Sequence, residues 1–388
     1  VRNCQFNSAG YTGLEITNTL TNVVRVEDCS FLGHAGIYGL MIDTAARVFV
    51  SGCTMTTSTG LFASDPVGIF DATVSFDNCA FTGQLGASGS KAVYATNSQL
   101  SFTLCGFSDF ATNLNPGIVY STGGSLNFDG CTFSGNQNGI YHTGPSSLGV
   151  TVNNCSFDDH QNWCIEVVSS NAPLMVSNSQ FSNSGQGVRF TDSPDCDIED
   201  CTFTDNLWGR TVTFSGSTGR VTGSEFTGNS ASGEGGAIYN LGSNITVNTC
   251  TFSGNTSSLA GGAIASVTSS TVVMNSTLSL NSSEGSGGAV YSNDSDIQLI
   301  DCQFIGNQSP TFGGAVFAAQ GSCILHTSSF DSNGADQGGA IHTEFGTLYM
   351  QDSSFDGNTA AYAGAISSYH CDTSILTSEI LANEATVR

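Results

Sequence analysis

Positive charge is nearly absent from this sequence: eight Lys and Arg residues, with Lys91 the sole lysine, stand against 32 Asp and Glu in 388 residues, a formal net charge of -24. Nucleic acid and anionic membrane surfaces need clustered Lys and Arg, so neither is expected as a partner. Proline is scarce too, at six residues, which excludes polyproline structure and proline-rich linkers. No stretch approaches the roughly 18 consecutive apolar residues of a membrane-spanning helix, so direct membrane insertion is not expected. Glycine is abundant instead, at 47 residues, among polar positions dominated by Ser, Thr and Asn. At 39% apolar residues the chain can bury a substantial core. So little lysine in a chain of this polar composition reads as secreted or cell-surface protein.

The chain repeats itself. A ladder of Phe, or an aliphatic substitute, follows a Cys or Ser by two positions: Phe6, Phe31, Met55, Phe81, Phe107, Phe133, Phe157, Phe181, Phe203, Phe226, Phe252, Leu278, Phe304, Phe330, Phe355 and Ile380. Its steps run from 22 to 26 residues. Ten of the fourteen cysteines share one repeat position: Cys4, Cys29, Cys53, Cys79, Cys105, Cys131, Cys155, Cys201, Cys250 and Cys302. A second motif, Gly-Gly-Ala-Ile/Val, recurs at 235–238, 261–264, 287–290, 313–316 and 338–341, with Ala363-Gly364-Ala365-Ile366 as a weaker copy. Degenerate copies precede it, as in Gly36-Ile37-Tyr38 and Gly139-Ile140-Tyr141. A third alternating run, such as Ile297-Gln298-Leu299, completes each repeat.

Three short strands per repeat of about 25 residues, with no helical period, predict an all-β fold: one parallel β-helix of about 16 coils. Leucine-rich repeats lack a match in the leucine spacing, and propeller blades need about 40 residues. The solenoid is expected to run through 1–388, degenerate over 1–225 and regular over 226–388. Val1 falls within a strand and Arg388 just after one, which points to a segment of a longer chain or a subunit that stacks on copies of itself.

The pairing of Phe-x-x-Asn, as in Phe252-Ser253-Gly254-Asn255 and Phe304-Ile305-Gly306-Asn307, with Gly-Gly-Ala-Ile/Val resembles the repeat of chlamydial polymorphic outer-membrane proteins. The resemblance extends to right-handed β-helix surface proteins and the broader pectate-lyase-like superfamily. It implies a secreted adhesive or structural surface role.

Stacking of the coils would turn the cysteines into an internal column, either as buried thiols or with some vertical neighbours bridged. Without any Cys-x-x-Cys, zinc is not expected. Sequons for N-glycosylation occur at Asn154, Asn244, Asn255, Asn275, Asn281, Asn293 and Asn307, and the last six are the candidate glycan sites.

Catalytic signatures for phosphate binding, zinc proteolysis and serine hydrolysis are missing. The mixed-charge group Glu166, Arg189 and Arg210, with Tyr141, His142, Asp158, Asp159 and His160 nearby in the repeat, is the candidate centre for an alternative function, a polysaccharide lyase or hydrolase. The competing reading is a surface ion pair between Glu166 and Arg189. An acidic run, Asp192, Asp195, Asp197, Glu199 and Asp200, is the candidate for calcium, but it lacks the Gly-bearing turn of a calcium loop and reads as a solvated turn. No cofactor is otherwise expected. Aligning the second-motif strands gives an outward aromatic stripe, Tyr38, Phe70, Tyr94, Tyr120, Tyr141, Tyr239, Tyr291 and Phe317, which either binds a glycan or neighbouring chain or only covers the sheet. The leading expectation is an extracellular structural or adhesive solenoid, with a filament subunit as one form of it. Its partners would be other copies of itself, other surface proteins, or glycans.

Overall fold

The computed structural model describes residues 1–387 except 8–11, 18–22, 34–37, 45–46, 58–64, 85–89, 112–116 and 146–148. The motif residues Gly36 and Ile37, and the terminal Arg388, therefore lie outside the described residues. Among the described residues every regular element is a short strand and none is a helix. The chain forms two compact units, Val1–Pro194 and Asp195–Arg388.

In the first unit three parallel sheets run side by side. The Phe-ladder sheet has eight strands from Gln5–Asn7 to Gln180–Ser182, the second-motif sheet eight from Thr12–Thr17 to Gln186–Thr191, and the third sheet seven from Val23–Glu27 to Leu174–Ser177. The second unit repeats the plan with eight, seven and eight strands, and adds a four-stranded sheet (Leu207–Trp208 to Ser282–Ser283) and a three-stranded one (Gly334–Gln337 to Glu384–Ala385). Within each unit a strand pairs with its equivalent one repeat later, which is the definition of a β-solenoid. All sixteen ladder residues stand on strands, eight in each unit.

Exact register makes like residues stack. Phe81, Phe107, Phe133 and Phe157 are directly paired, with ring centroids 4.6, 4.5 and 4.5 Å apart. A second inward column, Phe76, Phe102 and Phe128, stacks at 4.9 and 4.7 Å and meets the first edge-on, as Phe102 does Phe107 at 5.6 Å. The second unit carries the same ladder, with Phe304, Phe330 and Phe355 at 4.6 Å steps. Each buried ring contributes about 2–3 kcal/mol by removal from water, and offset stacking adds about 1 kcal/mol.

The corners explain the composition. Between consecutive strands the chain turns on one residue of positive φ, as at Asn97 (49°), Leu104 (52°) and Asp109 (64°) in one coil and Asp294 (50°), Asp301 (52°) and Gly306 (63°) in another. Gly, Asn and Asp tolerate this region best, so a corner-rich fold selects them. The next residue points inward, and its side chain returns to the carbonyl two positions back. Cys302 Sγ donates to Ile300 O at 3.3 Å, Ser276 Oγ to Met274 O at 2.7 Å, and Ser98 Oγ to Thr96 O at 2.8 Å. Cys and Ser are thus interchangeable pins of a bend. Cys250 and Cys302 are free thiols, and burial pushes both up to about 11.

At the third corner of the second unit the pin is asparagine. Asn281 Nδ2 donates to Asn307 Oδ1 at 3.0 Å and to Phe252 O at 3.1 Å, while its Oδ1 accepts from Asn255 Nδ2 and Asn255 N, both at 3.0 Å. The same pattern links Asn229, Asn255, Asn281, Asn307, Asn333 and Asn358, all fully buried. This corrects the expected glycan sites Asn255, Asn281 and Asn307: both amide hydrogens are engaged and the side chains point into the core, leaving no path for a saccharyltransferase or room for a sugar. Asn244 and Asn275 are exposed and Asn293 half-buried.

Candidate functional site

Strands Trp163–Val168 and Gln186–Thr191 place Glu166 directly opposite Arg189, with Tyr141 opposite Glu166 on the preceding coil. The two charges meet at 3.3 Å, and the Arg189 guanidinium also lies 5.6 Å from the Trp163 ring. Burial raises the Glu166 pKa above the usual carboxylate range, while Arg189 pulls it back. The pair fills a gap in an outward column, as a surface ion pair does. Arg210 belongs to the second unit. There it bonds Glu234 through Oε2 at 3.1 Å and through the backbone oxygen at 3.2 Å, and lies 3.6 Å from the Tyr239 ring centroid.

The other residues expected near this group go elsewhere. His142 points into the core, fully buried, and neither ring nitrogen has a partner; burial lowers its pKa to about 4. His160 is a corner pin whose Nδ1 faces Asp158 O at 3.1 Å. Asp158 accepts from Ser182 Oγ at 2.7 Å and Asn183 Nδ2 at 2.9 Å, which holds its carboxyl below the usual range. Asp159 is a positive-φ corner residue. These side chains follow the repeat, because the inward/outward alternation of a strand separates neighbours in sequence onto opposite faces. In the acidic run, Asp192, Asp195 and Asp200 are corner residues with φ near 50° (48°, 51° and 50°), and Asp197 is held by Arg220 at 2.6 Å.

The aromatic stripe needs a register correction. Tyr94, Tyr120, Tyr141, Glu166 and Arg189 share one column. Tyr38 instead pairs with Asp65, and Phe70 with Asp43 and Thr96; the column residue in that coil is Gly68. The Tyr38 ring leans into the space this glycine leaves, where a Cβ would come within 2.6 Å of it. Contact is thereby restored, from Tyr38 to Phe70 at 5.9 Å and Phe70 to Tyr94 at 6.0 Å. Tyr94, Tyr120 and Tyr141 stack at 5.4 and 5.2 Å with planes within 12°, and Lys91 lies 5.4 and 5.3 Å from the first two rings. In the second unit Tyr239 and Tyr291 are separated by Ala265, whereas Tyr291 stacks on Phe317 at 5.4 Å and Phe317 on His342 at 5.7 Å. Stacked rings occupy one another's faces, so what reaches solvent is ring edge and phenol hydroxyl.

Sequence reasoning missed two features. Trp208 is 81% exposed at φ 97°; no repeat position marks it. Arg25 and Arg47 stand on one sheet face beside Phe49, a grouping visible only once the third-sheet register is fixed.

Compared with known proteins, the chain matches the family model described as "Right handed beta helix region" over 1–157, 65–193 and 91–252. The "Chlamydia polymorphic membrane protein (Chlamydia_PMP) repeat" matches 249–267 and 301–319. No curated protein sequence matches it. Among solved structures it is similar to the family 28 exopolygalacturonase of Yersinia enterocolitica at 8% identity and TM-score 0.36, covering 87% of this chain and 73% of that one. It is also similar to the A-module of the mannuronan C-5 epimerase AlgE4 of Azotobacter vinelandii, at 10% identity and TM-score 0.23, covering 98% and 89%.

Proposed function

The chain belongs to the right-handed β-helix family, and from that premise we propose that it is a surface-exposed solenoid whose role is adhesive or structural, carried outside the cell. The observation that carries the reading is the pair of polymorphic-membrane-protein repeats at 249–267 and 301–319, which fall where the Phe ladder, the asparagine column and the Gly-Gly-Ala motif are most regular. The chemistry of the surface supports it. Glu166 and Arg189, two residues of the enzymatic alternative, pair with each other, while the third, Arg210, is held by Glu234 in the second unit. A surface bearing a net charge of -24 stays soluble and resists unselective contact, which suits a protein that recognises a particular partner.

The test is attachment and cleavage measured on one preparation. Purified chain coated on beads should retain cells or matrix over uncoated beads, and should release no new reducing or unsaturated ends from a panel of neutral and acidic polysaccharides. Cleavage lost in Glu166→Gln would replace this reading with the enzymatic one.

A further inference from the structure

Two of the eight basic residues of this acidic chain lie together on the outer face of the third sheet in the first unit. Arg25 and Arg47 sit on adjacent strands, Val23–Glu27 and Arg47–Ser51, where Arg25 pairs with Phe49 and Val23 with Arg47. The guanidiniums are thus one coil apart and offset by two positions on the same face. Both side chains are exposed. The Arg25 guanidinium lies 5.1 Å from the Phe49 ring centroid, which pre-orders it. Neither arginine has a carboxylate partner among the described residues. The acid on the same strand, Glu27, is taken by Arg2 at 2.7 Å. Residues 18–22 and 45–46, which precede the two strands, carry no charge. In a protein with four acids for every base, two adjacent unpaired arginines are conspicuous.

The ground beside them is shaped. Arg47, Val48, Phe49, Thr73 and Ser75 line a hollow of about 250 Å³, room for one sugar ring with a substituent. From it two rows of uncharged hydroxyl and amide side chains run along the sheet. One is Ser75, Ser101, Asn127 and Thr151; the other is Thr73, Gln99 and Ser125. Their spacing is that of the strands, about 4.8 Å, close to the rise of one sugar unit.

We propose that Arg25, Arg47 and Phe49 form a binding site for the sulfate group of a sulfated glycan, whose backbone lies along the hydroxyl and amide rows. Two forks on different strands cannot both meet a planar carboxylate edge-on. A tetrahedral sulfate ester presents three terminal oxygens in diverging directions, so the two guanidiniums take different edges of the group that share one oxygen, and it stays ionised at every physiological pH. The site goes beyond the adhesive reading and does not depend on it: a chain that binds the glycan yet fails to retain cells would keep the site and lose that reading.

Dextran sulfate, uncharged dextran and polygalacturonate are the probes, titrated against immobilised full chain in 0.15 M salt. Dextran sulfate should bind and the other two should not. Arg25→Gln with Arg47→Gln should weaken binding at least tenfold. Arg47→Gln alone, an exposed and unpaired position, should show most of that loss, and it guards against misfolding of the double variant. Arg220→Gln, which removes the same charge elsewhere, should bind like the parent. The proposal is overturned by absence of dextran sulfate binding, by equal weakening in Arg220→Gln, or by polygalacturonate binding that depends on the same two arginines.

Discussion

Single side chains in this protein work by returning to the backbone. Asn281 closes four hydrogen bonds inside the core, so Asn281→Ala strands the Phe252 carbonyl and the Asn255 amide groups together. Leaving buried groups unsatisfied costs about 1–3 kcal/mol each before relaxation, and we expect a loss of roughly 3 kcal/mol, read as a lower denaturant midpoint with unchanged slope. Sequence reading took this residue for a sugar acceptor because the sequon Asn-Ser-Ser is complete. Its inward direction becomes legible only when Gly or its equivalent one position earlier is recognised as a corner. His142 makes the opposite case, a buried ring with no partner. Its folded pKa of about 4 lies below the ordinary 6.5, so the unfolded chain binds the proton more readily. Its neutral form leaves stability intact above pH 6.5, and that stability falls as the pH drops from 6.5 toward 4, by up to about 3 kcal/mol. His142→Leu should flatten this part of the stability profile, measured by urea unfolding at pH 7 and pH 4.5; an unchanged acid slope would assign it to other groups.

At the scale of strands and corners, the period was readable and the register less so. All sixteen ladder positions fell on strands because an inward ring must recur once per coil. Tyr38 and Phe70 were misplaced because the segments before them vary in length and Gly68, which holds the column position, has no side chain to mark it. Two glycines test what the corners require. Gly254 has φ 63° and open space around a would-be Cβ, so Gly254→Ala meets only the left-handed penalty of about 1 kcal/mol. Gly262 has ordinary φ, but a Cβ there would come within 2.3 Å of Gly288 O and 2.4 Å of Ser282 O, both backbone. Gly262→Ala must push coils apart and should destabilise by several kcal/mol. Thermal unfolding of the two variants checks the order, and equal losses would refute the packing explanation.

For the whole molecule, composition carried the exclusions and the repeat carried the fold, but the candidate site was only partly legible. Glu166 and Arg189 do meet, since stacking brings equivalent positions together. Arg210 could not be placed by counting, because its long side chain reaches Glu234 and the Tyr239 ring rather than its column neighbours. The unpaired arginines at 25 and 47 were invisible, being 22 residues apart in sequence. The central claim is that this β-helix is displayed on a cell surface. It is tested most directly by labelling intact and permeabilised cells of the source organism with antibodies raised against the folded chain. Equal labelling of the two is predicted; labelling that appears only after permeabilisation would contradict the account.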